Sequence, residues 1–232
     1  MSLGNTEYTE MMTGKNQTAG EITNRGIFIS FEGADGCGKS TQIRLFKDYC
    51  EKLGLDVIST REPGGTPISE KIRSIILDPK NGEMADEAEA LLYAASRRQH
   101  LVEKVIPALK EGKLVLCDRF LDSSLAYQGG ARGLGIENVY NMNLFATEGM
   151  LPDLTILFDI EPELGLARIA ANSQREVNRL DVEKMEFHKA VRKGFHDLAQ
   201  KFPERFFIVD ASKTAEEVFK DAYSEIERRL KK

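Results

Sequence analysis

Residues 33–40 have the composition and spacing of a phosphate-binding loop. The stretch reads GADGCGKS and fits the pattern G-x-x-x-x-G-K-[ST]. In such a loop the backbone N–H groups surround phosphate oxygens, the lysine reaches the β- and γ-phosphates, and the hydroxyl group ligates Mg²⁺. The residues that we expect to bind ATP are Gly33, Ala34, Asp35, Gly36, Cys37, Gly38, Lys39, Ser40 and Thr41.

The neighbouring elements are those that this loop requires. An apolar run, IFISFE, precedes the loop, and a segment of helical period, STQIRLFKDYCEKL, follows it. A strand before the loop and a helix after it aim the backbone N–H groups and the helix dipole at the phosphates. A phosphate loop alone does not distinguish a kinase from a motor or a switch.

Short apolar runs alternate with helical segments along the rest of the chain. The predicted strands are 27–32, 56–60, 113–117, 154–159 and 206–210, and the predicted helices are 41–53, 70–77, 87–110, 138–148, 162–171, 183–201 and 215–230. Strands that are apolar on both faces and alternate with helices indicate a mainly parallel sheet. We therefore predict an α/β, P-loop NTPase fold with five strands and helices on both faces.

Composition and charge limit the number of domains and the classes of binding partner that we expect. Residues 1–25 are polar and without apolar period, so we expect a disordered extension followed by one domain over 26–232. A net charge of −5 without a basic tract argues against a nucleic-acid or membrane partner. The longest apolar runs suit strands, no secretory pattern is visible, and the three cysteines lack metal-type spacing. A cytoplasmic location is expected.

Arginines form a second group of candidate residues. They lie in the segments TREPGGT, EKIRSIILD, LLYAASRRQH and CDRFLDSSLAYQGGARG. The first and last segments follow strands, and ligands of open α/β sheets bind at the carboxyl ends of strands. Convergence of Arg61, Arg73, Arg97 and Arg119 there would suit an acceptor that carries a phosphate group.

Three motifs, REPGGT, AASRRQH and DRFLDSSLAYQG, together resemble those of bacterial thymidylate kinases, in the order of that family. The resemblance runs from about Gly26 to the C-terminus. It implies a P-loop nucleoside monophosphate kinase with a short mobile lid, which transfers the γ-phosphoryl group of ATP to dTMP in the presence of Mg²⁺. It also implies a homodimer, for which the helices 87–110 and 138–148 are candidate interfaces.

The resemblance also implies roles for single residues. Asp35 and Glu62 match residues near the acceptor sugar, and Arg73 and Arg119 match those that hold its phosphate. Tyr93 stands where an aromatic ring, usually Phe, stacks on thymine. Further expected residues are Arg97 at the thymine edge, Ser124 and Gln128 in the same pocket, Phe120 in place of the usual Tyr or His, and Asp118 with Ser40 at the metal.

The expected lid covers residues 171–182 and carries Arg175 and Arg179. Family members place a catalytic cation either in the phosphate loop or in the lid. Because the variable positions of the loop carry no basic residue, this sequence resembles the lid-arginine type, and we favour Arg175 over Arg179. The expected catalytic residues are Asp35, Lys39, Arg119 and Arg175.

Other functions are weaker readings of the same residues. A kinase for another pyrimidine monophosphate, such as dUMP, would share the pocket. A regulatory switch would not need Asp35, Arg119 and a basic lid, and a nucleic-acid motor would need basic grooves. The histidines His100, His188 and His196 lack metal-type spacing, and we expect them to be exposed or partly buried.

Overall fold

The computed structural model describes residues 25–171, 179–180 and 183–230, except for the side chains of 229 and 230. Its centre is a five-stranded, all-parallel sheet with the order β2-β3-β1-β4-β5. The strands are β1 (Phe28–Glu32), β2 (Val57–Arg61), β3 (Leu114–Asp118), β4 (Leu154–Asp159) and β5 (Phe206–Asp210). The predicted α/β fold and all five strands are confirmed, with bounds shifted by at most one residue.

Helices cover both faces of the sheet. They are α1 (Lys39–Lys52), α2 (Pro67–Leu77), α3 (Asp86–His100), α4 (Ile106–Lys110), α5 (Leu121–Ser124), α6 (Ile136–Thr147), α7 (Pro162–Ala171), α8 (Met185–Lys201) and α9 (Ala215–Leu230). Two separate apolar clusters result, because successive side chains of a strand point to opposite faces. In β1, Phe28 belongs to one cluster, and Ile29 and Phe31 belong to the other.

The helix predicted over 87–110 is not regular along its length. A π-helical segment, Leu101–Val105, separates α3 from α4 just before Pro107. Proline has no backbone N–H and its ring crowds the carbonyl group four residues earlier. The wider turn relieves this conflict, so the chain passes Pro107 and the helix ends at Lys110.

One helical segment is missing from the sequence prediction. The α5 helix continues into a second π-helical segment, Leu125–Ala131, and every residue from 121 to 129 is buried. An element that is enclosed on all sides has no polar face and therefore no amphipathic period. Close packing against α8 explains the small residues, since a Cβ on Gly194 would lie 3.1 Å from the Cα atom of Ala126.

The strand order brings the motif-bearing loops to one edge. The chain leaves β1 toward β2 and β3 on one side of the sheet and later fills the other side with β4 and β5. The loops that follow β1, β2 and β3 therefore meet at the carboxyl ends of these adjacent strands. Within the part of the chain that the structure describes, no helix combines the length and hydrophobicity needed to span a membrane.

Candidate active site

The loop after β1 surrounds the side chain of Lys39. The buried ammonium group donates hydrogen bonds to the carbonyl oxygens of Gly33 (2.9 Å) and Ala34 (3.0 Å). Gly36 is required by close approach, because a Cβ there would lie 2.1 Å from the carbonyl oxygen of Gly165 in α7. Gly38 is favoured by its left-handed backbone, with φ of 91°. The loop opens into a cleft of about 1140 Å³.

Two oxygen ligands lie together at the floor of this cleft. The hydroxyl group of Ser40 donates to Oδ2 of Asp118 across 3.0 Å, and both residues line the cleft. Among the described residues, no group of three or more His, Cys, Asp or Glu side chains could hold a metal ion. A hydroxyl and a carboxylate oxygen could hold Mg²⁺, which binds through one or two protein oxygens and completes its shell with phosphate oxygens and water.

Arg119 lies between this cleft and a second cavity. Its guanidinium group donates to the carbonyl oxygen of Gly33 (3.0 Å), to Ser123 Oγ (3.0 Å) and to Asp35 Oδ1 (2.9 Å). The hydroxyl group of Tyr127 contacts both Arg119 and Asp35. Burial lowers the pKa of Arg119, but these neighbours outweigh it and raise the pKa well above its usual value. The group is thus a permanent cation.

Glu32 holds the backbone on which Arg119 sits. Its buried carboxyl group accepts hydrogen bonds from the backbone N–H of Phe120 (2.7 Å) and from Ser123 Oγ (2.5 Å). Arg119 itself adopts a left-handed backbone with φ of 70°. Burial, reinforced by the negative charge of Asp122, raises the pKa of Glu32 to about 8.

The second cavity has a volume of about 590 Å³ and collects all the predicted acceptor residues. They are Glu62, Arg73, Tyr93, Arg97, Arg119, Ser124 and Gln128, joined by Phe120. Asp35, Glu62, Arg73 and Arg119 line both cavities, so the two spaces are contiguous. The exception among the predicted arginines is Arg61, which lines the first cleft and pairs with Glu70 at 2.8 Å.

Arg97 is held almost entirely by protein groups. It donates to Glu62 Oε2 (2.7 Å), Asn143 Oδ1 (2.5 Å), the Phe120 carbonyl oxygen (3.1 Å) and Ser124 Oγ (3.2 Å). A guanidinium group has five N–H donors, so these contacts leave one on Nη1 for a ligand. Arg98 turns away, as expected for its neighbour in a helix, and pairs with Glu148 at 2.7 Å.

The prediction for His100 was wrong. Its ring is fully buried and contacts Glu62 Oε1 (2.9 Å) and Thr60 Oγ1 (2.7 Å). His188 is buried as well, whereas His196 contacts Asp159 at 3.0 Å at the surface. The spacing of the histidines gave no sign that His100 is buried, because its partners come from β2 (Thr60) and from the residue that follows β2 (Glu62).

Tyr93 and Arg73 are the remaining predicted residues that line the second cavity. Burial, with a further contribution from Glu89, raises the pKa of the Tyr93 phenol, so its hydroxyl group stays protonated. Arg73 donates to the carbonyl oxygen of Pro63 at 2.9 Å. Burial lowers the pKa of Arg73, and the nearby Arg61 contributes in the same direction.

The lid prediction is only partly within the described residues. Arg175 lies outside them, as does most of 171–182. Arg179 is described and buried, and its guanidinium group contacts Glu89 and the carbonyl oxygen of Ile76 (3.1 Å). Arg179 is therefore connected to the second cavity through Glu89, which accepts a hydrogen bond from the lining residue Gln128.

Sequence reasoning missed several residues of the site. Ser123 and Tyr127 lie in the enclosed segment whose helical structure the sequence pattern does not indicate, so no spacing signal identified them. Leu180, which lines the second cavity, and Arg168, which lines the first, carried no sequence signal. Arg168 donates to the carbonyl oxygen of Ala211 (2.9 Å), a contact that only the tertiary structure creates.

A phosphate loop after β1, contiguous with a cavity whose walls carry arginines from α2, from α3 and from the end of β3, defines a P-loop nucleoside monophosphate kinase. The family model for thymidylate kinase matches residues 31–222. The chain belongs to the thymidylate kinase family.

Individual relatives agree with this assignment. The thymidylate kinase of Anoxybacillus flavithermus is 58% identical over 89% of this chain and 99% of its own length. That of Bacillus licheniformis is 56% identical over 89% and 97%. The crystal structure of thymidylate kinase from Ehrlichia chaffeensis superposes with a TM-score of 0.71 and 32% identity, covering 88% of this chain and 99% of that one.

The raised pKa of Glu32 predicts a pH dependence of stability. Its pKa in the folded state, about 8, lies above the ordinary value of 4.5, so the folded state holds a proton that the unfolded chain releases. The stabilisation is complete below about pH 4.5 and is lost as pH rises to about 8, with a slope of at most about 1.4 kcal/mol per pH unit. Urea denaturation across this pH range measures the free energy of unfolding. For Glu32→Gln, this free energy should lack the pH-dependent contribution.

The exposed Glu51, which pairs with Lys47 one turn away, provides the control. Glu51→Gln should keep the slope of the unmodified protein, because exposed pairs contribute little to stability. If the free energy of unfolding changed equally with pH in Glu32→Gln and in the unmodified protein, the assignment of this pH dependence to Glu32 would be contradicted.

Proposed function

We propose residue roles and a mechanism for the reaction of this family, transfer of the γ-phosphoryl group of ATP to dTMP, which gives dTDP and ADP. The observation that carries the proposal is the position of Arg119, which lines both cavities and contacts the phosphate loop. A single cation at this junction lies beside donor and acceptor phosphates together. Such a position suits charge that develops between them in the transition state.

ATP binds in the cleft of the phosphate loop. The backbone N–H groups of residues 33–41 surround its phosphates, and Lys39 exchanges its contacts with Gly33 and Ala34 for the β- and γ-phosphate oxygens. Ser40 and Asp118 would hold Mg²⁺. When bound, Mg²⁺ neutralises charge on the β- and γ-phosphates.

The acceptor nucleotide binds in the second cavity. Arg73 and Arg119 hold its phosphate, Asp35 and Glu62 lie beside its sugar, and the Tyr93 ring stacks on its base. The remaining N–H of Arg97 meets the edge of the base. Ser124 and Gln128 line the same end of the cavity.

Transfer requires no strong general base. An oxygen of the dTMP phosphate forms a bond to the γ-phosphorus as the bond from that phosphorus to the β–γ bridging oxygen breaks. A phosphate monoester is already largely dianionic near neutral pH. Catalysis is therefore positioning plus charge neutralisation by Lys39, Arg119 and a lid arginine, with closure of the lid excluding water.

The dimer and the location complete the proposal. Two large apolar side chains of the adjacent helices α3 and α6 are exposed, Leu91 at 57% and Phe145 at 89%. Exposed apolar patches of this kind mark interfaces, so we assign this face to a homodimer contact.

The free, buried cysteines Cys37, Cys50 and Cys117 suit the reducing cytoplasm.

Release of ADP tests the reaction directly. With ATP and Mg²⁺, we expect turnover to depend on dTMP, and kcat/KM for dUMP to be lower by roughly tenfold or more because a missing methyl group removes about 1–3 kcal/mol. The comparison includes dCMP, dGMP and no acceptor. ADP release that is independent of acceptor would favour the regulatory switch, and a preference for dUMP would favour the other pyrimidine kinase.

A pair of variants tests the lid cation. Arginines that stabilise transferring phosphoryl groups contribute roughly 10³- to 10⁵-fold in rate, so Arg175→Ala should lower kcat at least about 100-fold. Arg179→Ala should mainly raise KM for dTMP, because Arg179 pairs with Glu89, which in turn contacts Gln128 in the acceptor cavity. A loss in kcat of less than tenfold for Arg175→Ala would exclude Arg175 as the catalytic cation.

Sedimentation tests the dimer face. The unmodified 26.0 kDa chain should sediment at about twice its mass, and Phe145→Asp should shift it to the monomer by burying a charge in the interface. The matched control is Leu53→Asp, at a leucine that is 57% exposed elsewhere. A dimeric Phe145→Asp protein, or a monomeric unmodified protein, would refute this face.

A further inference from the structure

A buried carboxylate in α3 has no role in the mechanism above. Glu89 is fully buried beside the acceptor cavity. Its Oε1 atom accepts a hydrogen bond from Gln128 Nε2 at 2.7 Å. Its Oε2 atom contacts Nη2 of Arg179 and, at 3.4 Å, Nη2 of Arg132. One carboxylate thus joins an amide of the base pocket to two cations.

The carboxylate restricts the orientation of the amide. A carboxylate can only accept hydrogen bonds, whereas an amide presents a donor at one end and an acceptor at the other. The NH₂ group of Gln128 must therefore face Glu89. Since Gln128 lines the acceptor cavity, its carbonyl oxygen Oε1 is the polar atom that remains for a ligand there.

The cations fix the carboxylate in turn. Arg179 is anchored by its own backbone N–H to the Leu77 carbonyl oxygen (3.2 Å) and by Nε to that of Ile76 (3.1 Å). Arg132 also pairs with Glu183 at 2.6 Å. Both guanidinium groups approach the same oxygen of Glu89, so the other oxygen is left to Gln128.

We propose that Glu89 is a positioning residue that determines base specificity by turning the carbonyl group of Gln128 toward the acceptor base. This proposal rests on the proposed function. Thymine and uracil carry an N–H donor at N3, which matches a carbonyl acceptor. Cytosine carries a lone pair at N3, which opposes it. The arrangement selects thymine and uracil against cytosine.

The substitution Glu89→Gln should invert this arrangement. The two guanidinium groups retain the oxygen of the new amide, so its NH₂ group faces Gln128. Gln128 then turns its carbonyl oxygen toward that donor and its own NH₂ group toward the cavity. An N–H donor now meets N3 of cytosine favourably and N3–H of thymine unfavourably.

The experiment measures kcat/KM for dTMP, dUMP and dCMP. In Glu89→Gln we expect the dTMP-to-dCMP ratio to fall about 10- to 100-fold while the dTMP-to-dUMP ratio stays constant, because thymine and uracil are alike at N3. Discrimination persists in part, since the remaining N–H of Arg97 still meets the edge of the base. If the substitution only disturbed the structure, kcat/KM would fall in parallel for all three acceptors, and that outcome overturns the proposal.

Two further variants complete the test. Glu89→Asp keeps a carboxylate, so its dTMP-to-dCMP ratio of kcat/KM should stay within about threefold of the unmodified enzyme, even where KM rises. A collapse of this ratio overturns the proposal. This test also applies if Glu89→Gln does not fold. The matched control is Glu87→Gln, an exposed carboxylate of the same helix, which should change no ratio.

Calorimetry separates this proposal from the function on which it rests. The dissociation constants of dTMP and dCMP give the same ratio without turnover. Absence of dTMP-dependent ADP release in the unmodified enzyme would refute the proposed function. An unchanged ratio of dissociation constants in Glu89→Gln would refute the role of Glu89 alone.

Discussion

Hydrogen bonds to the buried Glu32 carboxyl group fix the loop after β3, and both cavities depend on that loop. They hold the Phe120 N–H and the Ser123 hydroxyl group on either side of the turn that follows Arg119. Arg119 occupies the left-handed region with φ of 70°, which costs roughly 1–3 kcal/mol for a residue with a side chain. Such a backbone persists only where its surroundings hold it, and here it aims the guanidinium group at the phosphate loop and at Asp35.

Ion pairs in the acceptor cavity and next to it also hold their groups in fixed positions. Arg97 with Glu62, Arg119 with Asp35 and Arg179 with Glu89 each set a cation against a carboxylate within the protein. Isolated buried charges are costly, and pairing offsets much of that cost. Because the partners already hold these groups in position, little reorganisation is left for the moment of reaction. The cavity is arranged before its nucleotide arrives.

The local sequence pattern was sufficient to predict those elements whose residues show a regular apolar period or a fixed motif. The five strands, the phosphate loop and most helices appear in the sequence because each shows a regular apolar period or a fixed motif. The segment 121–131 does not, since it is enclosed by α6 and α8 and lacks a polar face. The burial of His100 was hidden for a related reason. Its partners Thr60 and Glu62 are distant in the chain, and no local signal connects them.

Residue types at short spacings were enough to predict the fold class and the phosphate loop, and the resemblance to bacterial thymidylate kinases implied the acceptor residues. The contacts among these residues follow from the tertiary structure alone. It directs Arg179 to Glu89, engages Arg97 with Glu62 and assigns Glu89 to Gln128. These pairs join residues far apart in the chain, so their geometry follows from the packing of α3 against its neighbours at the carboxyl edge of the sheet. A motif specifies which groups are present, whereas packing specifies which of them meet.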